Sequence, residues 1–147
     1  MIKSFVKKAL EEDIGRGDLF SLVGKNSFAS ATITCKDEGV FAGRRYVKTL
    51  CKMNKLDITF YVKDGSVIHK GDVIAIIEGK SKAILRCERV MLNLMQHASG
   101  IATNVARYKK VLEGYDVKLL DTRKTRPHLR VFEKYAIRCG GGTNHRM

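Results

Sequence analysis

Residues 117–146 read VKLLDTRKTRPHLRVFEKYAIRCGGGTNHR, and this stretch decides how the rest is organised. Val117 to Leu120 is a strand-sized apolar run leading directly into Asp121-Thr122-Arg123-Lys124-Thr125. Pro127 ends the extended segment, because its ring fixes φ and it has no backbone N–H to donate. A helix is predicted from about Leu129 to Arg138, with Val131, Phe132, Tyr135 and Ala136 on one face. Gly140-Gly141-Gly142 follows, then Thr143-Asn144-His145-Arg146 and Met147. Strand, helix and glycine loop make one βα unit. A βα repeat that halts after one unit leaves its strand edges unpaired, so the sequence reads as cut off.

Upstream, the periodicity is helical. Met91, Leu94, Met95, Ala98, Ile101, Ala102, Val105, Tyr108 and Leu112 recur at i, i+3, i+4 spacing, which predicts one long helix over about 85–112. The methionines in it read as core filler. Gly100 interrupts the stripe at a cost of about 1 kcal/mol relative to alanine. It marks either a break between two helices or a place where another backbone comes close.

Between Ala29 and Leu85 the pattern changes to short strands and turns. Ala31, Ile33 and Cys35 alternate with threonines, as in a half-buried strand. After Gly39–Gly43 a helix is predicted over 44–53, with Tyr46, Val47 and Leu50 on one side. Strands follow at Asp57–Val62, Ser66–His69 and Val73–Glu78, separated by the turns Lys63-Asp64-Gly65 and Lys70-Gly71-Asp72. At the other end Ser4 is the expected cap of a first helix burying Phe5, Val6, Ala9 and Leu10, which Gly15 and Gly17 stop. Helices and strands mixed in this order predict an α+β sandwich.

The bulk numbers bound the function. A length of 147 residues with 44% hydrophobic and 29% charged content suits one or two soluble domains. No run approaches the roughly 18 apolar residues of a membrane helix, and MIKSFVKKALEED lacks a signal-peptide apolar block. A cytoplasmic protein is the expectation. Cys35, Cys51, Cys87 and Cys139 are scattered without a C-x-x-C pair, which fits reduced, mostly buried thiols. Lys and Arg number 28 against 15 Asp and Glu, a net charge of +13. Nucleic-acid binders cluster such charge and interleave aromatics. Here the positives are spread along the chain and tryptophan is absent, which disfavours nucleic acid and leaves small polyanions, or a longer protein whose acidic portion lies elsewhere.

Three segments concentrate chemistry. In Cys87-Glu88-Arg89-Val90, placed near the start of the long helix, Glu88 suits the positive end of the dipole and Arg89 does not. Arg89 is therefore either simply exposed or held there for a ligand or partner. In Thr122-Arg123-Lys124 two cations stand at the C-terminal end of a strand, where βα folds build their sites. The competing reading is a solvated basic turn. Consecutive strand residues point to opposite faces, so a turn must redirect one of the pair if both are to meet a ligand. In the third segment the glycines could bring backbone N–H groups close to an anion. His145 could donate to a carboxylate there, and Arg146 could grip it with two parallel bonds.

Taken in order, ERVMLNLMQHASGIAT from Glu88, LLDTRKTRPHLRVFEKYA from Leu119 and GGGTNHR from Gly140 resemble the type II phosphoribosyltransferases, specifically quinolinate phosphoribosyltransferase. EEDIGRGDLFS from Glu11 and the turn pattern from Gly65 to Ala75 fit the same family, so the resemblance covers essentially the whole chain. It implies an α/β organisation: an open-faced sandwich over residues 1–90, then the start of an α/β barrel over 91–147. It implies conversion of quinolinate and phosphoribosyl pyrophosphate to nicotinate mononucleotide, pyrophosphate and CO2, in NAD biosynthesis. Thr122, Arg123 and Lys124 match the family's site for the dicarboxylate and the phosphoribosyl group. His145 and Arg146 match the pair that holds the quinolinate carboxylates. Arg89 matches an arginine extended into the neighbouring subunit of a homodimer or larger assembly. Family members are roughly twice as long. The catalytic lysine, the acidic residues and the Mg2+ ligands are therefore expected beyond Met147, and the 147 residues alone are not expected to turn over. Two other readings stay open: a non-catalytic module that binds an anion or a partner, and a related transferase with another substrate.

Overall fold

A computed structural model describes the backbone of residues 1–147 and every side chain except that of Ser21. In chain order the elements are α1 (Ile2–Ile14), α2 (Leu19–Val23), β1 (Phe28–Thr34), β2 (Gly39–Val40), α3 (Arg44–Met53), β3 (Asp57–Phe60), β4 (Val67–Ile68), β5 (Val73–Lys80), α4 (Ser81–Val111) and α5 (Arg130–Cys139).

The sheet follows from the alternation. β5 is the central strand, with β1 and β3 antiparallel on its two sides. The register sets Ala31 and Ile58 on either side of Ile77, and Ile33 and Phe60 on either side of Ala75. These rows share one face, because side chains two apart along a strand point the same way. Ile77 and Ala75 are buried in the same core as Leu50, Cys51, Val90 and Met91 of α3 and α4, whereas Ser30, Thr32, Thr59 and Glu78 on the opposite face are exposed. The expected α+β sandwich is thus an open-faced one. β2 and β4 form a separate short ladder.

Most predicted elements stand, with α3 found over the expected residues, and four details differ. α1 begins at Ile2, with no side-chain cap, so Ser4 lies inside it. α4 begins at Ser81, earlier than expected, because β5 runs into it without a loop. The Ser81 hydroxyl there accepts from the Ser27 N–H at 3.2 Å and donates to the Lys25 carbonyl at 3.2 Å. α4 passes unbroken through Gly100, which is exposed and has nothing within 4 Å of where a Cβ would sit. Gly100 therefore marks neither a break nor a close approach. Val117–Leu120 is not a laddered strand. It makes one parallel bridge, Leu120 to Thr143, through Asp121 N–H to the Thr143 carbonyl (3.0 Å) and Thr143 N–H to the Leu119 carbonyl (2.9 Å).

α5 is bound to the sandwich by side chains. Phe132 stacks on Phe5 at 5.4 Å and meets Tyr46 edge-on at 4.8 Å. The Tyr135 hydroxyl donates to Asp64 Oδ2 at 2.5 Å and accepts from the Gly43 N–H at 3.1 Å. Asp64 Oδ1 in turn accepts from the N–H groups of Gly43 and Arg44, a carboxylate at the positive start of α3. All four cysteines are free. Among the described residues, no helix is long and apolar enough to cross a membrane.

Candidate functional site

The bridge between Leu120 and Thr143 sets two chain segments side by side and running the same way. Arg123 and Arg146 each lie three residues beyond that bridge, so both reach the same end of the paired segments. Just past it the first segment turns. Thr122 Oγ1 accepts from the Lys124 N–H at 3.1 Å, and the Thr125 N–H donates to the Arg123 carbonyl at 2.9 Å. Arg130 braces the turn through Nε to Thr125 Oγ1 (3.2 Å) and Nη2 to the Arg123 carbonyl (3.4 Å). Arg123 and Lys124 are thereby freed from strand alternation. Thr122, Arg123, Lys124, His145 and Arg146 are exposed, and Arg123, Lys124 and Arg146 make no salt bridge among the described residues. Cations left without acidic partners past the end of two paired segments, here called the rim, are suited to an anionic ligand.

Beneath the rim lies a buried ion pair that the sequence did not single out. Lys134 Nζ stands 2.7 Å from Asp121 Oδ1, with side-chain exposures of 2% and 0%. Burial pushes the Asp121 carboxyl up, but the His145 N–H and the Lys134 ammonium outweigh it and hold the carboxyl below its usual range. Asp121 Oδ2 is buried without a hydrogen-bond partner among the described residues. The only sequence signal for Lys134 is its place between Phe132 and Tyr135 on the apolar side of α5. A second polar group lies alongside. Arg126 Nε donates to Glu133 Oε1 at 2.6 Å, and Arg126 Nη2 approaches His97 Nε2 at 2.5 Å. His97 lies flat against Phe132 at 5.7 Å. Its partial burial and then the Arg126 charge lower its pKa, against the pull of Glu133.

The glycine triplet serves packing rather than an anion. Its N–H groups donate to the carbonyls of Ala136, Arg138 and Ile137, finishing α5. An added Cβ on Gly140 would lie 2.4 Å from the Ala102 carbonyl. Arg89 stands two turns inside α4, so the helix dipole does not bear on it. Its side chain is 77% exposed, with Nε 3.5 Å from Asp13 Oδ1. It lines a groove with Asp13, Asp18, Leu19, Glu88 and Gln96, away from residues 121–126 and 143–146. A larger cleft of about 800 Å³ opens between α1, α4 and the start of α5, lined by Phe5, Tyr46, Asn93, His97, His128 and Phe132. Among the described residues, no group of three or more His, Cys, Asp or Glu side chains is placed to hold a metal ion.

Residues 18–99 match the sequence model described as "Quinolinate phosphoribosyl transferase, N-terminal domain", and residues 101–147 match its C-terminal counterpart. The chain is similar to the probable nicotinate-nucleotide pyrophosphorylase [carboxylating] of Bacillus subtilis. The two are 45% identical over 151 aligned positions, taking in 99% of this chain and 52% of the relative. Its fold superposes on the nicotinate-nucleotide pyrophosphorylase of Francisella tularensis with a TM-score of 0.92 and 33% identity, covering 99% of this chain and 53% of the other. For that of Ehrlichia chaffeensis the values are 0.93 and 32%, covering 99% and 55%. The chain spans about half the length of the relatives it matches.

Proposed function

Because the chain belongs to the quinolinate phosphoribosyltransferase family, we propose that it supplies the dicarboxylate-gripping part of the enzyme that converts quinolinate and phosphoribosyl pyrophosphate to nicotinate mononucleotide, pyrophosphate and CO2. One observation carries this reading: Arg123 and Arg146 lie equally far past a single parallel bridge, unpaired, at one end of the site.

The chemistry asks for such a rim. One substrate is a doubly negative pyridine, and the other carries a phosphate and a pyrophosphate. Cations must bring them together against their repulsion. Arg146 offers a planar fork to one carboxylate, and His145 donates beside it. Arg123 and Lys124 serve the second carboxylate and the phosphoribosyl group, and Thr122 shapes their turn. The pyridine nitrogen attacks the anomeric carbon as pyrophosphate departs. The cationic ring then stabilises the carbanion left by loss of CO2. On this reading the residues act by positioning and charge, with no covalent nucleophile.

The residues present do not fit Mg2+. Asp121 is taken up by Lys134 and the His145 N–H, and Glu133 by Arg126. Mg2+ ligands and the catalytic lysine then belong to a part of the enzyme outside these 147 residues. Residues 1–90 form the sandwich domain and 91–147 the first part of a barrel. Arg89, exposed and only loosely tethered to Asp13, reaches into the partner's site in a homodimer or larger cytoplasmic assembly. Nucleic acid and membranes are not partners.

Calorimetric titration of quinolinate tests the reading. One molecule should bind, and Arg123→Ala and Arg146→Ala should each weaken it about tenfold or more, since a charge-assisted bond contributes about 1.5–3 kcal/mol. Nicotinate, with one carboxylate, should bind more weakly. Equal affinity for nicotinate and quinolinate, or indifference to both substitutions, would sink the proposal.

A further inference from the structure

We infer that Lys134 and Asp121 form a buried positioning pair that sets the backbone of His145 and Arg146 beside Thr122-Arg123-Lys124, and so fixes the spacing of the cations on the rim. The inference rests on the functional reading above and adds two residues to it, neither of which touches the ligand.

Stability alone does not account for the pair. Each buried ion loses several kcal/mol of hydration, and well-packed apolar residues of similar volume often hold a fold as well or better. The geometry accounts for it. Asp121 Oδ1 receives two donors, Lys134 Nζ at 2.7 Å and the His145 N–H at 2.9 Å. Lys134 Nζ also donates to the Arg146 carbonyl. The carboxylate and the ammonium therefore close a loop through the amide of one rim residue and the carbonyl of the next. Asp121 directly precedes Thr122, so the same loop grips the other rim segment at its root.

The bridge bonds end at Asp121 and Thr143, upstream of both cationic tips. Among the described residues, no other hydrogen bond holds the backbone of His145 or Arg146. Lys134 projects from α5, which is itself clamped to the sandwich through Tyr135 and Phe132. The pair thus refers the backbone of His145 and Arg146 to a helix packed on the sandwich. A carboxylate fork and its receptor must agree to within about 0.5 Å, which calls for such support behind the contact residues.

The test uses the whole 147-residue protein, with quinolinate as the probe. Lys134→Met keeps length and removes the charge, while Asp121→Asn keeps shape and an acceptor oxygen. Quinolinate affinity should fall at least tenfold in Lys134→Met and by a smaller factor in Asp121→Asn. In ligand-free 1H–15N spectra the His145 amide should move upfield and exchange faster in Lys134→Met, with sandwich resonances unchanged. A lower melting temperature is expected on either reading, since Asp121 is left buried without its cation; a purely structural role would instead move the sandwich resonances together with the His145 amide. Should Lys134→Met fail to fold, Asp121→Asn carries the same two readouts. Wild-type affinity within twofold, or a His145 amide that stays in place, overturns the inference. A wild-type protein that takes up no quinolinate sinks the functional reading instead, and the amide alone then decides the pair.

Discussion

At Gly140 the contact between two helices is made through a bare Cα. A methyl there would stand 2.4 Å from the Ala102 carbonyl and 2.7 Å from Val105 Cβ, both on α4. Gly140→Ala must push α5 off α4 and should cost about 1–3 kcal/mol, as overpacking does. Gly100→Ala is the opposite case. It sits exposed inside a helix with open space around it and should gain up to about 1 kcal/mol. Urea unfolding of both variants checks the pair of signs, and a destabilised Gly100→Ala would mean the helix is not continuous there. Local pattern made Gly140 look like part of an anion loop, because the sequence does not show what lies opposite a glycine. Lys134 was hidden for the same reason. Its neighbours in α5 are ordinary for an amphipathic helix, and only the return of residues 143–146 over it takes its ammonium out of water. That Arg123, Lys124 and Arg146 stand exposed just past one bridge follows signals the sequence does carry, basic residues after an apolar run and after a glycine turn.

Where α3 and α4 press together, two thiols titrate far from their free range. Burial, and then the neighbouring Cys87, push Cys51 up to about 12, while burial pushes Cys87 up to about 11 against the pull of Arg86. An unfolded thiol gives up its proton near 9.0. Above that value the native protein holds protons that the unfolded chain releases, so stability is full below about pH 9 and falls as pH rises towards 11 and 12. The urea midpoint should therefore decline between pH 8 and pH 10.5, and the slope should flatten in Cys51→Ala. A midpoint flat across that range would show that the seam is open to water. The seam's elements differ in how well the sequence announces them. α3 was readable at both ends because a strong apolar stripe runs between Gly43 and Asn54. The start of α4 was not, because β5 runs on through Gly79 to Lys80 and passes into the helix without a loop. Val117–Leu120 was overread as a strand, since a parallel ladder depends on partners far away in the chain.

For the molecule as a whole, charge and fold give one expectation about turnover. The net charge is +13, and the two carboxylates nearest the rim are already occupied, Asp121 by Lys134 and Glu133 by Arg126. Among the described residues, neither of these carboxylates is free to steady a ribose as pyrophosphate leaves. The isolated 147 residues should therefore bind quinolinate and form no nicotinate mononucleotide, with product followed by chromatography. Steady accumulation of the mononucleotide would refute this. The same α4 that walls the sandwich also backs α5, over 31 residues and so about 46 Å. A shaft of that length, gripped by the sheet at one end and by Gly140 near the other, has no joint. Running unbroken through Gly100, α4 itself then offers no place to hinge.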